Sequence, residues 1–374
     1  MTGRYPYTFD CVYHTARSTT AAAIIITVTT ALPILDVSPQ RPVYAQGPRD
    51  LGAVQLLRIS VTDRCNFRCV YCMPEDGVAY THREDLLGVD DIVAVAQAAR
   101  SAGVTHFKIT GGEPTVRHDV VQICRAIAAL EPDDLSLTTN GMLLDSLAAP
   151  LRDAGVDRLT VSWDTMQPLR FTQLARGGAK TMGGLDQLRR GLDAAAAAGF
   201  DRLKINTVVM GGLNDDEVVD FARLTLDKPW TVRFIEYMPL GDSSLGDDAD
   251  AYIVDNERIA QTIEHALGRL TPVSRETEPG VGPANVFYLP DASGRVGFIS
   301  AMSRPFCETC NRLRLTAMGQ LRACLFDGGE VDIMPALRPR PNVPRLVELM
   351  RECVAQKPEV HSDHGNRAMS QIGG

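Results

Sequence analysis

The chain has 374 residues, of which 45% are hydrophobic, and its formal net charge is -8 at pH 7. This length allows one large core with a smaller appendage, because about 150 residues per domain is only a prior and α/β barrels run longer. The acidic charge argues against a general nucleic-acid binder, which would carry a basic surface. A polyanionic substrate would therefore need a local cluster of cations.

The nine cysteines indicate a reducing compartment. Their number is odd and six of them fall into two clusters, which favours metal binding over a disulfide framework. The remaining three, Cys11, Cys124 and Cys353, are interpreted as leftover thiols.

Residues 1–48 do not fit this interpretation. The apolar run TAAAIIITVTTALPIL, from Thr20 to Leu35, follows two arginines and resembles the layout of a signal peptide. The run is shorter than the stretch of about 20 residues that spans a membrane comfortably. Export would also remove the cysteine clusters from reducing conditions. We therefore interpret residues 1–48 as a non-native or dispensable extension and expect a cytoplasmic protein that does not associate with membranes.

From Leu57 onward, short β-rich runs alternate with amphipathic stretches. The β-rich runs are LRISVT (57–62), HFKIT (106–110), LSLTT (135–139), RLTVSW (158–163), LKINTVVM (203–210) and VRFIEY (232–237). The stretches between them are apolar on one face and end near glycine or a polar turn, which predicts helices. Strand, helix and strand at this spacing predict right-handed βαβ units and a parallel sheet. We therefore predict an α/β fold, an incomplete (β/α)6 TIM-type barrel over residues 49–240.

Unusual residues follow the predicted strands directly. The first strand is followed by Cys65, Cys69 and Cys72, the second by GGEP (111–114), the third by TNG (139–141), the fourth by Asp164, and the sixth by Met238 and Pro239. Taken singly, each glycine-bearing piece could be an ordinary turn. Parallel barrels place their chemistry on the loops at the carboxyl ends of the strands, so together these residues predict a site there.

The first cysteine cluster, DRCNFRCVYC, has the spacing C-x3-C-x2-C. A structural zinc site or an ordinary iron–sulfur cluster takes four protein ligands, so three would leave one coordination position open. An open position can bind a substrate. The alternative is a zinc knuckle whose fourth ligand lies far along the chain.

Beyond about Gly241 the pattern changes to a loop, a helix and apparent antiparallel strands. This region contains Cys307, Cys310 and Cys324, spaced C-x2-C-x13-C, again a set of three. A zinc ribbon would need a second C-x2-C pair, which is missing, but zinc stays an alternative here. Arg312 and Arg314 alternate along a strand, so both side chains face one way. They could clamp a phosphate or a polar heterocycle, or they could form a solvated strand face.

These motifs resemble those of a known family. The spacing C-x3-C-x2-C, with Tyr71 before the third cysteine and GGEP after the second strand, resembles the radical S-adenosylmethionine (SAM) superfamily. The stretches LRISVTDRCNFRCVYCMP and CETCNRLRLTAMGQLRACLF, and the ending RAMSQIGG, resemble the GTP 3′,8-cyclase family of molybdenum cofactor biosynthesis. The resemblance runs from about Leu57 to Gly374.

The resemblance implies two [4Fe-4S] clusters and SAM as cofactors. It implies that Cys65, Cys69 and Cys72 hold three irons of the first cluster, while the amino and carboxylate groups of SAM chelate the fourth iron. Reductive cleavage of SAM would then give methionine and a 5′-deoxyadenosyl radical. The positions that match SAM contacts are Tyr71, Gly112, Ser162 and Met238.

The resemblance also implies that Cys307, Cys310 and Cys324 hold an auxiliary cluster that binds the guanine of GTP. The product would be (8S)-3′,8-cyclo-7,8-dihydroguanosine 5′-triphosphate. The positions that match GTP contacts are Arg58, Lys108, Thr138, Lys204, Arg312 and Arg314, and those that match catalytic positions are Arg58, Arg312, Arg314, Gly373 and Gly374. Lys108 stands where the family pattern leads us to expect arginine, so it keeps the charge but loses the bidentate fork.

The expected organisation has three parts, namely the extension 1–48, the barrel 49–240 and a C-terminal region 241–374 that binds the auxiliary cluster and GTP and ends in a Gly-Gly tail. The expected partners are GTP, a reductase or flavodoxin-type electron donor and, by pathway, the downstream cyclic pyranopterin monophosphate synthase. A homodimer is left open. Two rival hypotheses are a radical SAM peptide-modifying enzyme with an auxiliary cluster, and a non-catalytic zinc or iron–sulfur binding module.

Removing residues 1–48 should leave enzymatic activity unchanged, because the sequence shows no recognised element before the strand at Leu57. The activity of the shortened chain, compared with that of the full chain, checks this expectation. Loss of folding after the deletion would contradict it.

Overall fold

The computed structural model of the chain describes residues 47–374 except 178–182, 242–244, 279, 327–328, 363, 366, 368 and 374. These residues belong to one compact unit, Ile34–Gly374. The apolar run from Thr20 to Leu35 lies outside the described residues, as do Cys11 and Gly374. Two short 3-10 turns, Gly47–Arg49 and Leu51–Ala53, precede the first strand. The sequence analysis placed the first element at Leu57, so the structure begins earlier than predicted.

The described strands form one sheet. They are β1 (Leu56–Ser60), β2 (His106–Thr110), β3 (Asp134–Thr139), β4 (Arg158–Ser162), β5 (Lys204–Val209), β6 (Thr231–Glu236), β7 (Thr271–Pro272), β8 (Asn285–Tyr288), β9 (Arg295–Ile299), β10 (Arg312–Leu315), β11 (Gln320–Arg322) and β12 (Val331–Asp332). Their order across the sheet is β12-β11-β10-β1-β2-β3-β4-β5-β6-β9-β8-β7. The eight central strands, β10-β1-β2-β3-β4-β5-β6-β9, pair in parallel. At the two edges, β12 and β11 and likewise β8 and β7 are joined to the sheet by antiparallel pairs.

Helices connect the parallel strands as the amphipathic pattern predicts. They are α1 (Val89–Ser101), α2 (Val120–Ala128), α3 (Leu144–Asp153), α4 (Pro168–Ala175), α5 (Gly184–Ala197), α6 (Val218–Asp227), α7 (Asn256–Leu267), α8 (Met334–Leu337), α9 (Val343–Ala355) and α10 (Met369–Ile372). In α2 the buried residues Val120, Ile123, Cys124 and Ile127 recur at the helical period, so one face of the helix is apolar. The α/β fold class and the six predicted parallel strands are confirmed.

The C-terminal strands extend the barrel sheet at both ends. The antiparallel strands predicted beyond Gly241 are present, since β8 pairs antiparallel with β9, and β10 with β11. In addition, β9 lies parallel to β6 and β10 lies parallel to β1. These two pairings join strands that are far apart in the chain, so no local sequence pattern could reveal them.

The sheet curves around a cavity that extends from the carboxyl ends of its strands to the first residues of β1 and β10. Side chains from β10, β1, β6 and β9 line the same cavity although β10 and β9 are separated by six strands. In β1, Arg58 faces this cavity, whereas Leu57 and Ile59 are fully buried and, by strand alternation, face the helices. One face of each strand thus builds the apolar core and the other builds the site.

Glu236, at the end of β6, fastens the C-terminal region to the barrel. Its buried carboxylate accepts hydrogen bonds from the backbone N–H groups of Asn256 (3.2 Å), Met302 (2.8 Å) and Ser303 (2.9 Å). The hydroxyl of Ser303 donates to the same carboxylate at 2.5 Å. One charged side chain therefore holds the start of α7 and the loop after β9.

Replacing Glu236 with alanine should lower the free energy of unfolding by about 3 kcal/mol, because it leaves the buried N–H of Asn256 and the part-buried N–H groups of Met302 and Ser303 without their acceptor. Chemical denaturation of the variant and the parent chain measures the difference. Glu352→Ala is the matched control, since the Glu352 side chain is 51% exposed on α9. Equal unfolding free energies for Glu236→Ala and the parent chain would contradict the fastening role.

Candidate active site

Most of the predicted site residues line the cavity at the carboxyl ends of the strands. The lining includes Arg58, Cys65, Cys69, Tyr71, Cys72, Lys108, Gly112, Thr138, Ser162, Met238, Arg312 and Arg314. The structure thus brings together the first cysteine triplet, the residues that match SAM contacts and most of those that match GTP contacts.

The first triplet lies on a loop that turns tightly after β1. The N–H groups of Cys72 and Met73 donate to the carbonyl oxygen of Cys69 at 2.9 and 3.1 Å. Arg68 donates from Nη1 to the carbonyl oxygen of Cys65 at 2.9 Å, which fixes the start of the loop. Burial, followed by the charges of neighbouring thiols, raises the pKa of Cys69 well above its ordinary value. Burial raises the pKa of Cys65 as well, and two such thiols with Cys72 on one loop fit a cationic metal group, because such a group stabilises thiolates.

Glu113, in GGEP, connects the loops after β2 and β3. Its buried carboxylate accepts hydrogen bonds from the backbone N–H of Thr115 (3.0 Å), the hydroxyl of Thr139 (2.7 Å) and the backbone N–H of Asn140 (2.6 Å). The amide of Asn140 donates in turn to the side-chain oxygen of Asn66, within the cysteine loop, at 2.7 Å. GGEP and TNG therefore act together to support the first triplet.

Gly112 lies against the backbone of the cysteine loop. A Cβ atom at this position would come within 2.5 Å of the carbonyl oxygen of Arg64 and 2.7 Å of that of Asp63. Both approaches are too close for a side chain. The N–H of Glu113, the next residue, donates to the Arg64 carbonyl at 2.8 Å, so this contact holds the two loops together.

Asp164, after β4, lies beside the first triplet. It accepts hydrogen bonds from the hydroxyl of Tyr71 (2.9 Å) and the backbone N–H of Val208 (2.9 Å). Burial raises the pKa of Asp164 to about 6. The carboxylate thus links the cysteine loop to β5.

Three cations occupy matched positions on three adjacent parallel strands. Arg58 of β1 is in register with Arg314 of β10 on one side and Lys108 of β2 on the other. Burial, followed by repulsion from Arg314 and Arg312, holds the pKa of Arg58 well below its ordinary value. Burial, followed by the charges of Arg233 and Arg58, lowers the pKa of Lys108 in the same way. This row of cations (Arg314, Arg58 and Lys108) makes the cavity strongly attractive to a polyanion.

Arg233, on β6, is a cavity residue that the sequence analysis missed. Its Nε donates to the side-chain oxygen of Asn206 at 2.9 Å, and its Nη2 donates to the hydroxyl of Thr160 at 3.4 Å. Burial and the charge of Arg158 lower the pKa of Arg233 to about 10. The available signal was a single arginine inside the otherwise apolar run VRFI.

Lys204 lies at the other end of the barrel from the first cysteine triplet. It lines a separate depression at the amino-terminal ends of the strands, together with Arg158, Thr231 and Arg295. Its Nζ donates to Glu278 at 3.0 Å, and Glu278 also forms an ion pair with Arg295. Burial, followed by the charges of Arg233 and Arg158, lowers the pKa of Lys204 to about 7. The structure therefore does not bring Lys204 to the cavity wall occupied by the other matched residues.

The second triplet lies beside the same cavity. Cys307 opens a short 3-10 turn, and the N–H of Cys310 donates to its carbonyl oxygen at 3.1 Å. Phe306 and Leu325, which adjoin Cys307 and Cys324 in the chain, line the cavity. Burial raises the pKa of Cys310, but the charges of Arg312 and Lys357 outweigh it and bring the pKa down to about 6. Burial raises the pKa of Cys307, so the thiolate-stabilising surrounding is confined to Cys310, where it fits a metal group.

The C-terminal tail reaches the row of cations. The carbonyl oxygen of Gly373 accepts hydrogen bonds from Nη1 of Arg314 (3.1 Å) and the hydroxyl of Thr110 (3.4 Å). Gly373 has a φ of +70°, and a Cβ atom there would lie 2.8 Å from Cβ of Ser60. Both constraints select glycine. Ile372, the preceding residue, is fully buried.

Two features are absent from the described residues. No group of three or more His, Cys, Asp or Glu side chains in the described part of the chain could hold a single metal ion. Likewise, no described helix has the length and apolar character needed to cross a membrane.

Family models match nearly the whole of the described chain. Residues 59–225 match the model for the radical SAM superfamily, and residues 230–363 match the model described as Molybdenum Cofactor Synthesis C. The fold and the cysteine loop thus define a member of the radical SAM superfamily.

Curated relatives narrow this class. A protein from Pelotomaculum thermopropionicum named GTP 3′,8-cyclase is 44% identical over 326 residues, covering 86% of this chain and 98% of that protein. A protein of the same name from Trichormus variabilis is 42% identical over 336 residues, covering 87% of this chain and 100% of its own length. The chain belongs to the GTP 3′,8-cyclase family.

Solved structures show the fold alone. The crystal structure of Streptococcus suis SuiB bound to S-adenosylmethionine covers 83% of this chain and 76% of its own, with a TM-score of 0.54 and 13% sequence identity. The structure of SuiB bound to its precursor peptide SuiA has the same TM-score and identity, and covers 84% of this chain and 67% of its own.

Replacing Gly112 with alanine should strip iron from the first triplet, because the new Cβ would push the Arg64 carbonyl and displace the cysteine loop. Iron content after anaerobic purification measures the effect, which we expect to be a loss of about half the iron if two four-iron clusters are present. Gly88→Ala is the matched control, since a Cβ at Gly88 would meet its nearest neighbour at an ordinary 3.5 Å. Full iron content in Gly112→Ala would refute the steric argument.

Proposed function

We propose that this chain converts GTP to (8S)-3′,8-cyclo-7,8-dihydroguanosine 5′-triphosphate, an early step of molybdenum cofactor biosynthesis. The observation that carries the proposal is one cavity that combines a cysteine triplet with a row of buried cations, beside which a second triplet lies. The membership of the GTP 3′,8-cyclase family supports the same reaction.

The first triplet and its neighbours would hold one [4Fe-4S] cluster and SAM. Cys65, Cys69 and Cys72 would ligate the cluster, and Tyr71, Gly112, Ser162 and Met238 would contact SAM. When bound, these groups supply the 5′-deoxyadenosyl radical that starts the reaction. The chain contributes the rigid loop that Glu113 and Arg68 hold in place, and a cavity wall that limits access of water.

The row of cations would bind the triphosphate of GTP. Arg58 and Arg314 offer planar forks that suit phosphate oxygens, whereas Lys108 offers a point charge. Arg312 would lie nearer the guanine, because it follows Cys310 and its guanidinium stacks over Phe306 at 4.8 Å. Cys307, Cys310 and Cys324 would hold the auxiliary cluster against the guanine, and Thr138 would contact GTP from β3.

Lys204 and Gly373 would have less direct roles. Because Glu278 holds Lys204 outside the main cavity, Lys204 would act on GTP only by long-range attraction in the observed arrangement. The Gly373 carbonyl would orient the guanidinium of Arg314 towards the substrate. Gly374 lies outside the described residues, and its proposed role rests on family resemblance alone.

The peptide-modifying enzyme remains the second candidate because SuiB, a structural neighbour, was solved with a precursor peptide. Its 13% identity supports a shared fold and nothing more. A peptide substrate would give no reason for the row of cations. A non-catalytic binding module would leave the row of cations without a role.

The wider setting follows from this chemistry. We propose a cytoplasmic enzyme that takes electrons from a reductase or flavodoxin-type donor and supplies its product to cyclic pyranopterin monophosphate synthase. A homodimer stays open. The boundaries 1–48, 49–240 and 241–374 stay a prediction, because β9 and β10 belong to the same sheet as the barrel.

An anaerobic assay with reconstituted clusters, SAM, GTP and a strong reductant tests the function. Mass spectrometry should detect 5′-deoxyadenosine together with a cyclised guanosine triphosphate. Formation of 5′-deoxyadenosine with a peptide substrate, and no cyclised nucleotide with GTP, would favour the second candidate. Zinc without sulfide would favour the binding module.

Gly373→Ala should leave both clusters and some SAM cleavage intact but reduce cyclised product at least about tenfold. The added Cβ would collide with Ser60 and move the carbonyl from Arg314, a misplacement that costs orientation rather than cofactor binding. Gly103→Ala is the matched control, since Gly103 has a φ of +93° with nothing within 4 Å of its added Cβ. Equal product yields from Gly373→Ala and the parent chain would argue against a role of the tail.

A further inference from the structure

The two cysteine triplets lie in opposite electrostatic surroundings. Two carboxylates lie near the first triplet: Asp164 accepts a hydrogen bond from the hydroxyl of Tyr71, which precedes Cys72, and Glu113 supports the cysteine loop through Asn140 and Asn66. One cation, Arg68, donates there to the carbonyl oxygen of Cys65. At the second triplet, Arg312 lies two residues after Cys310, and Lys357 donates to the carbonyl oxygen of Cys310. The neighbouring charges are therefore mainly negative at the first metal site and positive at the second.

Lys357 is the least expected of these groups. It follows helix α9, at the far end of the chain from the barrel strands, and is only 4% exposed. Its Nζ donates to the carbonyl oxygen of Cys310 at 3.0 Å. Burial and the charge of Arg312 lower the pKa of Lys357, and the thiols of Cys310, Cys353 and Cys324 act in the opposite direction.

A second residue, Arg49, holds the backbone of Lys357. Arg49 donates from Nε to the carbonyl oxygen of Lys357 at 2.9 Å. The acids close to the second triplet do little to offset the ammonium. Glu308 is exposed to water, and Glu330 forms ion pairs with Arg322 and Arg367. Lys357 is thus a buried, positioned charge directed at the second triplet.

A nearby positive charge stabilises the additional electron of a reduced iron–sulfur cluster, and a nearby negative charge destabilises it. We propose that Lys357 raises the reduction potential of the second cluster above that of the first cluster, which Glu113 and Asp164 keep low. This inference rests on the proposed function, since it requires a cluster at each triplet. It names no new ligand but assigns a task to a residue outside the cavity wall.

The consequence is an order of reduction. Each cluster accepts one electron from an external low-potential reductant, and the second cluster accepts it at the milder potential. The first cluster then accepts an electron only from a strong donor, which suits the difficult reductive cleavage of SAM. The acidic surroundings of the first cluster and the basic surroundings of the second thus keep SAM cleavage and GTP binding at clusters of different potential.

The test is a redox titration of the full chain with both clusters, followed by electron paramagnetic resonance. In Lys357→Gln, the ratio of reduced to oxidised second cluster at a given potential should fall about tenfold. This fall corresponds to a reduction potential that is ~59 mV more negative for a one-electron couple. The first cluster should not shift. Lys357→Arg keeps the charge and should titrate like the parent chain. Arg351→Gln, which removes an exposed cation from α9, the helix before Lys357, should change the potential of neither cluster.

The signals can be assigned with a chain in which Cys65, Cys69 and Cys72 are all alanine, since it should carry the second cluster alone. An unchanged potential for the second cluster in Lys357→Gln, with about eight irons per chain, would overturn the inference and leave the proposed function intact. About four irons per parent chain would instead overturn the two-cluster function itself.

If Lys357→Gln does not retain the second cluster, Asp164→Asn tests the difference in reduction potential between the clusters through the first cluster instead. Removing this carboxylate should move the first cluster to a less negative potential and narrow the gap between the clusters. A first cluster that titrates as in the parent chain would overturn the proposal.

Discussion

Repulsion among buried cations on adjacent strands is the constraint on which the site depends. Two like charges about 4 Å apart repel by ~4 kcal/mol at an effective dielectric constant of about 20. The parallel register places Arg314, Arg58 and Lys108 side by side, and burial adds to the cost. The apolar side chains on the opposite face of the same strands must offset this cost, as Leu57 and Ile59 do in β1. A bound polyanion would relieve the repulsion.

The parallel topology also places the two triplets at opposite ends of one cavity. The first triplet follows β1, whereas Cys307 and Cys310 precede β10, which lies parallel to β1. The second triplet is therefore near the start of β1, where Asn311 accepts hydrogen bonds from the N–H groups of Gln55 and Leu56, and the row of cations lies between the two triplets. Glu113 and Glu236 then fasten the remaining loops, each with one carboxylate that accepts several N–H groups.

The parts of the fold and site that depend on short stretches of sequence could be predicted from the sequence. The cysteine spacings, the GGEP turn and the six barrel strands each lie within a short stretch, and the structure contains those strands. Arg233 was missed because strand alternation alone does not reveal which face of β6 lines a cavity. Lys357 could not be predicted as a neighbour of Cys310, since their contact depends on how α9 meets the loop before β10. Glu278, which holds Lys204, was missed for the same reason.

Nucleotide binding tests the central claim, that the row of cations recognises a polyphosphate, most directly. Anaerobic equilibrium binding of guanosine, GMP, GDP and GTP to the protein with both clusters would give four dissociation constants. The account predicts that affinity rises with each added phosphate and that the gain shrinks as salt is raised, because the cations are screened. Equal affinities for guanosine and GTP at low salt would contradict it.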